Sequence, residues 1–526
     1  MYCNIQVTFD SDPSNDRSES WLASNPLNPY NMVGASKDFT DPATYQFSLR
    51  AYATFDGGES WTQAPPFTLL SDPDPDKVWA GISDPAVAWD NLGNCYLVGL
   101  PFPGPGSPFE TLGIAVYMSS DGGLSWTGPN FIHQSTSDDK QWAAGDTNPA
   151  SPYYGNVYAV WDDAPGLAFA RTTDNGAAWK GVGAQPVGTP LAPSSFGPQV
   201  AVAGDGTVYV AFMNQEEFGN KVQFVKSTDG GDSFSAPLVI ADGITPLASP
   251  PLPAPNGFPE LPGGKFRVLT VPACCSGTAQ TVVVAWADYR EGVSRIYYQY
   301  SQDAGTTWLG PTSGQPLLPP YLASGADQHD FHPQLASMPS GEIACAFYEF
   351  GPKWGGGPPL IDVIIARTTD DGATFSERDT VTDRAWDPTV DAPLSHGDPG
   401  TTFIGDYFGL AGSSLGFFPF WTDTRTGIQE IFTAKPVTVG PWDGVQFTGT
   451  VAAGVTERWF TFNWPACWHV IWMVVPTTPF PGEPDITWDV QVERASGEYI
   501  TYWITISNLT SVPVDIEARY SVLAAD

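Results

Sequence analysis

Short runs that alternate between polar and apolar residues cover most of the chain and predict β-strands. Examples are Phe47-Ser-Leu-Arg-Ala-Tyr-Ala53, Asp362-Val-Ile-Ile-Ala-Arg367 and Tyr499-Ile-Thr-Tyr-Trp-Ile-Thr-Ile506. Successive side chains of a strand point to opposite faces, so a period of two indicates a sheet that is buried on one side. No amphipathic helix longer than a turn or two is evident, and no apolar run approaches the roughly 18 residues that a membrane helix needs. The pattern predicts an all-β protein.

One eight-residue pattern occurs six times, each time after a predicted strand. It has Ser or Thr first, Asp third, Gly fifth and Trp or Phe last, as in Thr54-Phe-Asp-Gly-Gly-Glu-Ser-Trp61. Asp accepts hydrogen bonds from the backbone N–H groups that follow it, Gly can adopt positive φ, and the aromatic ring leads back into the sheet. We interpret each copy as a hairpin turn. The structural Asp residues are Asp56, Asp121, Asp174, Asp229, Asp303 and Asp370.

The copies recur 53 to 74 positions apart, which indicates an array of one supersecondary unit. The repeated segment resembles the Asp-box, also called the bacterial neuraminidase repeat, of sialidase-like β-propellers, over residues 4 to 436. The resemblance implies that each box joins the third and fourth strands of a blade, on the face opposite the active site. A further unit without a box, Tyr407–Thr433, gives a predicted seven-bladed β-propeller, with six blades as the alternative. The N-terminal strand Ile5–Phe9 is predicted to complete the last blade and close the ring.

A second domain is predicted after the segment 436–443, which is rich in Pro and Gly. Residues 1–438 are assigned to the propeller and residues 439–526 to a C-terminal β-sandwich, because about 85 residues suffice for a small sandwich. The sandwich carries six tryptophans, for which core packing is favoured over stacking on sugars: Trp459, Trp464, Trp468, Trp472, Trp488 and Trp503.

The net charge of −35 argues against nucleic-acid partners and against anionic membrane surfaces. No signal peptide is visible, because Met1 leads directly into Tyr2 and the predicted strand that follows. We expect either that the sequence begins at the mature end of an exported protein or that the protein uses another export route. An extracellular or cell-surface setting is expected. The six cysteines show no zinc-ligand spacing and no readable disulfide framework. No cofactor is required by this reading; calcium at Ser71–Asp76 is the alternative, although that segment lacks the Gly and distal Glu of an EF-hand loop.

Candidate site residues lie on loops at the end of the blades opposite the boxes, since those loops are free of the repeated turn. Trp286-Ala-Asp-Tyr-Arg290 and Trp421-Thr-Asp-Thr-Arg425 share one charge pattern, which is either ligand-facing or an internal ion pair. The predicted catalytic residues are Asp406, Tyr407, Asp288, Asp423 and Glu349. The predicted substrate-binding residues are Arg290, Arg425, Lys140, Trp142, Gln328, His332 and Asp84. His329 and His332 are expected to be loop packing in preference to metal ligands.

These residue types suit a polar ligand, since Arg can hold a carboxylate through two parallel bonds and a carboxylate pair can hydrolyse a glycoside. The resemblance to sialidases implies Tyr407 as a nucleophile activated by a carboxylate. The Arg-Ile-Pro tripeptide of sialidases is absent, however; Arg295-Ile-Tyr297 is the nearest match. The expected function is recognition, with hydrolysis as an open question, of a carbohydrate or glycoconjugate. The alternative is a non-catalytic adhesive or display protein that assembles through its C-terminal sandwich.

Overall fold

The computed structural model describes residues 2–10, 16–41, 46–67, 79–103, 111–214, 219–255, 257–277, 280–353, 357–390, 402–436, 442–466, 468–479, 481–496 and 499–523. These residues contain no helix. They form the strands β1 Tyr2–Gln6, β2 Arg17–Ser24, β3 Met32–Asp41, β4 Gln46–Thr54, β5 Thr62–Gln63, β6 Trp79–Trp89, β7 Cys95–Pro103, β8 Ile114–Ser119, β9 Thr127–His133, β10 Asp138–Gly145, β11 Val157–Asp163, β12 Gly166–Thr172, β13 Thr189–Ala192, β14 Phe196–Val202, β15 Val208–Met213, β16 Lys221–Ser227, β17 Leu238–Asp242, β18 Ala273–Ser276, β19 Val282–Asp288, β20 Arg295–Ser301, β21 Gln315–Pro316, β22 His329–Ser337, β23 Ile343–Gly351, β24 Leu360–Thr368, β25 Glu377–Thr380, β26 Gly409–Ser413, β27 Gly416–Asp423, β28 Glu430–Pro436, β29 Trp442–Val451, β30 Thr456–Pro465, β31 His469–Pro476, β32 Ile486–Arg494, β33 Tyr499–Asn508 and β34 Val514–Leu523.

Within the described ranges, the first 28 strands build seven four-stranded sheets. Six sheets take their strands in chain order: β2–β5, β6–β9, β10–β13, β14–β17, β18–β21 and β22–β25. The seventh has the order β1-β28-β27-β26, and beside β28 the Val7 N–H donates to the Ile431 carbonyl at 2.8 Å. An all-β chain is therefore confirmed, and its sheets are the hairpin-linked antiparallel kind that alternating patterns predict.

Each repeated turn joins the third strand of a sheet to the fourth, and its aromatic ring packs on a ring of the preceding unit. The five later contacts, between ring centroids, are Trp126–Phe67 5.6 Å, Trp179–Tyr96 6.3 Å, Phe234–Phe169 4.8 Å, Trp308–Phe224 4.9 Å and Phe375–Tyr298 5.2 Å. The first turn reaches the last sheet instead, with Trp61 and Phe420 at 5.4 Å. Consecutive sheets thus share apolar faces, and the last sheet packs on the first.

The repeated turns share one hydrogen-bond pattern. In the first copy the Thr54 hydroxyl donates to the Asp56 carboxylate at 2.7 Å, and the Ser60 N–H donates to the same carboxylate at 3.0 Å. Gly58 has φ of +91° and donates its N–H to the Thr54 hydroxyl at 3.0 Å. The other five copies repeat both carboxylate bonds. The Asp side chain therefore replaces backbone partners that a tight turn cannot supply.

Contacts divide the chain into two units, Gln6–Lys435 and Met1–Ile5 with Pro436–Asp526. In the second unit, two three-stranded sheets have the orders β29-β34-β31 and β30-β33-β32. Their inner faces share one apolar core that includes Trp464 and Trp472, whereas Trp488 is exposed. Cys3 is disulfide-bonded, and the free cysteines Cys95, Cys274, Cys275 and Cys345 are buried. The described part of the chain has no helix whose length and apolarity would let it cross a bilayer.

Candidate functional site

The first strands of several sheets carry the same irregularity, a β-bulge whose middle residue has positive φ. These residues are Glu19 at +51°, Asp84 at +54°, Lys140 at +51° and His332 at +49°, each inside a break in strand register. Positive φ is costly for residues with a Cβ, and bulges re-aim side chains. The bulges lie toward the strand ends opposite the repeated turns. Four polar side chains are therefore directed away from the regular pleat at one end of the first unit.

Three of these residues, Glu19, Asp84 and Lys140, line a cavity of about 530 Å³. The other charged residues of its wall are Lys37, Asp138, Asp139, Asp162, Arg267 and Asp406. Its aromatic wall consists of Phe47, Phe102, Phe196 and Phe258. Arg267 and Phe258 come from the long connection between β17 and β18. A volume of this size, with apolar walls and a few polar groups, is typical of small-molecule sites.

Asp406 is the most enclosed charge of the cavity. It accepts two hydrogen bonds from Arg267, at 2.9 and 2.6 Å, and one from Lys140. Burial by itself raises the pKa of Asp406, but the attraction of Arg267 and Lys140 outweighs it and holds that pKa far below its usual value. A carboxylate that is permanently ionised and fully paired cannot serve as a proton donor. Asp406 therefore acts as the anchor that positions two cations.

Glu19 and Asp84 form a carboxyl pair with opposite tendencies. The Ser83 hydroxyl contacts both, at 3.2 Å to Glu19 and 2.6 Å to Asp84. Burial, followed by the charge of Asp84, raises the pKa of Glu19 to about 8. Burial also raises the pKa of Asp84, but Lys140, whose Nζ lies 3.7 Å away, and Lys37 outweigh it, so the pKa of Asp84 lies below its usual value. At neutral pH Glu19 holds a proton and Asp84 is ionised.

Asp139 and Asp162 face each other directly across β10 and β11. Asp139 is exposed and lines the cavity, and Asp162 is 6% exposed. Burial raises the pKa of Asp162 to about 7, and the charge of Asp139 adds to this shift. Burial likewise raises the pKa of Asp139. Like charges directly opposite each other in a sheet destabilise it, so the two carboxylates repel each other when both are ionised.

Tyr407 lies outside the lining of this cavity. Its ring packs on Trp142 at 5.5 Å and Trp21 at 6.5 Å between centroids, and its hydroxyl meets no hydrogen-bonding partner among the described residues. Burial, followed by the charges of Asp84 and Glu19, raises the pKa of Tyr407 well above its usual value. A phenol held neutral by burial and by nearby carboxyls does not have the properties that the predicted nucleophile needs. Trp142, predicted to bind substrate, is likewise a packing residue here.

The two predicted Trp-x-Asp-x-Arg loops are internal ion pairs. Asp423 accepts hydrogen bonds from the Trp421 ring at 3.0 Å and from the Arg425 backbone at 2.8 Å, and it pairs with the Arg425 guanidinium at 2.7 Å. Asp288 is held in the same way by Trp286, the Arg290 backbone and the Arg290 guanidinium. Neither pair lines the 530 Å³ cavity. Of the two interpretations that the sequence left open, this geometry favours the internal ion pair.

The remaining predicted residues lie apart from the cavity wall. Glu349 pairs with Arg378 at 2.6 Å and with Lys353 at 3.4 Å. The Gln328 side chain donates to the Pro352 carbonyl at 2.7 Å. Burial lowers the pKa of His332 to about 4, so its ring is neutral, and it packs on Phe331 and Tyr348. The structure thus brings together Asp84, Lys140 and Asp406 and leaves the others elsewhere.

The sequence did not predict Glu19 or Arg267 as site residues, although both line the cavity. A signal was present for two of the bulges, because Asp84 and His332 each precede a proline in their first strand. Glu19 and Lys140 are followed by Ser20 and Gln141 and do not carry this signal. Arg267 follows no repeat, since it belongs to the connection before β18.

One cluster in the described residues has metal-ligand chemistry: His133, Asp138 and Asp163. The two ring nitrogens of His133 face different carboxylates, Nδ1 at 2.8 Å from Asp138 and Nε2 at 4.0 Å from Asp163. The hydrogen bond to Asp138 raises the pKa of His133. Asp138 thus occupies Nδ1, and Nε2 together with Asp163 is what the cluster could offer to a metal. The predicted calcium segment Ser71–Asp76 lies outside the described residues.

No protein-family model and no curated protein matches the chain. Solved structures that it resembles include a leech intramolecular trans-sialidase, 11% identical with a TM-score of 0.45 over 71% of each chain. A protein of unknown function from Dyadobacter fermentans is 15% identical with a TM-score of 0.42, over 69% of this chain and 97% of that one. A point mutant of the NanB sialidase of Streptococcus pneumoniae is 11% identical with a TM-score of 0.42, over 66% of this chain and 67% of that one. Likeness at this level carries no argument about function, which has to come from the cavity.

Proposed function

We propose that the seven sheets form a closed seven-bladed propeller of the Asp-box type, and that its cavity binds and hydrolyses glycans. The contact of the last sheet with the first, through Phe420 and Trp61, supports closure. A ring of sheets brings their first strands together at its centre, where bulged polar residues converge. The disulfide at Cys3 supports the secreted or surface setting, since disulfides persist in oxidising compartments.

The Glu19–Asp84 pair is the observation that carries the proposed hydrolysis. Glycosidases use one carboxylic acid that keeps its proton near neutral pH and one carboxylate that stays ionised. Glu19, with its pKa raised to about 8, fits the acid, and Asp84, with its pKa lowered, fits the carboxylate. Both contact the Ser83 hydroxyl. They therefore lie closer together than the roughly 6.5–9.5 Å that leaves room for water between the carboxyls of an inverting enzyme. A hydrogen bond between Glu19 and Asp84 contributes to the lowered pKa of Asp84, and an entering sugar has to replace it.

In the first step, Glu19 gives its proton to the glycosidic oxygen while the bond from that oxygen to the anomeric carbon breaks. The Asp84 carboxylate attacks the same carbon, so that an ester joins sugar and protein. Water then cleaves the ester, and the Glu19 carboxylate takes the proton of that water and returns to its acid form. Lys140 stabilises the ionised Asp84 before the attack, and Asp406 fixes Lys140.

The aromatic wall supports a sugar as the ligand. Phe47 and Phe102 contact each other at 5.3 Å between ring centroids, and both line the cavity. Rings offer apolar faces to the C–H surface of a pyranose, while carboxylates accept hydrogen bonds from its hydroxyls. About 530 Å³ holds a short oligosaccharide rather than an extended polymer.

Hydrolysis of a panel of fluorogenic glycosides by wild type, Glu19→Gln and Asp84→Asn tests this function. We expect each substitution to lower kcat by about 10²-fold or more, because general acid and nucleophile roles contribute at least that. Asp371→Asn, which changes an exposed residue of the last repeated turn, is the matched control and should retain full activity. NMR of the first product should show retained anomeric configuration. Full activity of Glu19→Gln would exclude the assigned acid, and no turnover on any glycoside would exclude hydrolysis.

A second function, assembly through the C-terminal unit, is favoured by exposed apolar side chains on its sheets. Phe462 is 66% exposed, Val492 62%, Phe460 57% and Ile471 54%. Phe460 and Phe462 contact each other at 6.2 Å between ring centroids, and exposed apolar patches mark interaction surfaces in soluble proteins. Light scattering across a concentration series should show self-association that Phe462→Ser weakens. A wild type that stays monomeric throughout would rule out assembly between copies of the chain.

A further inference from the structure

The cations of the cavity are already engaged. Arg267 and Lys140 bind Asp406, and the Lys37 ammonium lies 3.7 Å from Glu19 and 4.0 Å from the centre of the Phe47 ring. A carboxylate-bearing sugar would have to compete with Asp406 for Arg267 and Lys140, and with the ring of Phe47 for Lys37. The carboxyls outnumber the cations in the described wall, so the cavity is poorly suited to an acidic sugar.

The Asp139–Asp162 pair is the part of the cavity wall best suited to bind a positively charged group. The residues are direct cross-strand partners, and both line the cavity. Oδ1 of Asp162 makes no hydrogen bond of normal geometry within the described residues, although the side chain is buried and the nearby Ser195 hydroxyl acts to lower its pKa. Its other oxygen accepts the Gly197 N–H at 2.8 Å. A buried acceptor without a donor is costly, and two facing carboxyls repel each other.

The neighbouring cation Lys140 relieves this repulsion only in part, because its charge lowers the pKa of both carboxyls less than burial raises it. The Lys140 ammonium is directed to Asp406 and Asp84, while the Lys140 backbone N–H donates to Asp139 at 2.8 Å. Burial leaves both carboxyls with raised pKa values, and the charge of Asp139 adds to the shift of Asp162. A small cationic donor placed between them would satisfy the unpaired oxygen and neutralise the facing charges together.

We propose that the Asp139–Asp162 pair binds the free amine of an amino sugar, so that the cavity prefers glycans with unacetylated amino groups over neutral or acidic ones. This inference rests on the proposed glycan site and specifies its substrate class. A protonated amine has three donors and one positive charge, which matches two carboxyls across a strand pair. An N-acetyl group has one donor and no charge, and it leaves the repulsion in place. The negative charge of the whole chain adds a long-range attraction for cationic glycans.

Isothermal titration with a matched pair of disaccharides, and with an acidic sugar for comparison, tests this preference. The probes are β-1,4-linked diglucosamine, its N,N′-diacetyl form and 3′-sialyllactose, each at low and high salt. Wild type should bind diglucosamine about tenfold or more tightly than the diacetyl form, the smallest effect expected for a hydrogen bond to a charged group. Asp162→Asn should reduce this ratio to near one, while Asp371→Asn should keep it. Asp139→Asn, at a solvent-accessible position, replaces Asp162→Asn if the latter does not fold.

The outcomes separate this inference from the proposed function. Equal affinity for the two disaccharides, or tighter binding of sialyllactose, overturns the amine site while glycoside hydrolysis stands. Calcium that binds in the same titration, competes with diglucosamine and loses affinity in Asp162→Asn would make the pair a metal site and also overturn the inference. Failure to bind any of the three sugars, with hydrolysis of other glycosides intact, overturns the amine site alone. Absence of both binding and hydrolysis overturns both proposals.

Discussion

Asp406→Asn is expected to destabilise the first unit strongly, because Asp406 is fully buried and holds two cations. The asparagine has nearly the same shape and no charge. Arg267 loses two charge-assisted hydrogen bonds, at 2.9 and 2.6 Å, and Lys140 loses its closest carboxylate. Lys140 keeps Asp84 at 3.7 Å as a weaker partner. Most of the cost therefore falls on Arg267.

The magnitude follows from what remains buried. Removing one partner of a buried ion pair costs about 3–5 kcal/mol, since the other charge is left uncompensated. The partner that Lys140 retains places the expected loss of unfolding free energy near the lower value, about 3 kcal/mol. The pKa of Asp406 is lower in the folded chain than the usual value of about 3.9. Its contribution is thus fully present above that value and is lost as the pH falls toward the folded pKa, so the difference between variant and wild type should shrink in acid.

Urea unfolding at pH 7, followed by tryptophan fluorescence, measures this loss. The transition of the first unit has to be fitted separately, because a chain of two units need not unfold in one step. Asp371→Asn removes the same charge at an exposed position and should stay within about 0.5 kcal/mol of wild type. Adding Arg267→Met to Asp406→Asn should recover part of the stability, since the orphaned cation disappears. A loss below about 1 kcal/mol for Asp406→Asn would refute the view that this ion pair holds the cavity together.

Three further outcomes are expected. Glycoside hydrolysis should decline as the pH rises through about 8, since Glu19 must hold a proton and its folded pKa is raised to that value; a pH profile of kcat that is flat up to pH 10 would contradict the assignment. Gly123→Ala should cost about 2 kcal/mol or more, because φ is +98° and a Cβ would meet Val33 Cγ2 at 2.4 Å. Gly427→Ala, with φ of +91° but open space around it, should cost about 1 kcal/mol. If thermal unfolding showed the same loss of stability for Gly123→Ala and Gly427→Ala, backbone strain alone would account for both and the contact with Val33 would not matter. Ser60→Ala should remove the 2.5 Å hydrogen bond from the Ser60 hydroxyl to Asp56. Because the turn is exposed, we expect the free energy of unfolding to fall by about 0.5 kcal/mol. A larger loss in urea unfolding would show that the turn contributes more to stability.

Local rules made the strands and the six turns visible in the sequence. A turn needs only its own hydroxyl, Asp and Gly, because the hydrogen bonds run between neighbours in the chain, as from Thr54 to Asp56. The aromatic position also follows locally, although its partner does not: Trp61 packs on Phe420, which is remote in sequence. Alternating patterns predicted strands for the same reason, since a face is defined by every second residue.

The cavity residues were only partly predictable. Asp84, Lys140 and Asp406 were proposed as site residues because they stand on loops or strand starts without the repeated turn. The repeated Trp-x-Asp-x-Arg loops drew attention to Asp288 and Asp423, yet their charges are satisfied two residues away. A repeated motif indicates residues that each sheet uses to fold, whereas a site is built from residues that occur in only some of the sheets. This is why repetition predicted the turns, whereas the repeated Asp and Arg residues fit internal ion pairs better than a site.

By itself, then, the sequence determined the strands, the repeated turns and the acidic character of this protein, since each depends on residues close together in the chain or on composition alone. Only the tertiary structure decided that Glu19, Asp84 and Arg267 share one cavity, because they come from three different segments. It also decided their protonation. Glu19 and Asp84 are both carboxylic acids, and burial together with the placement of Lys140 pushes the pKa of one up and of the other down.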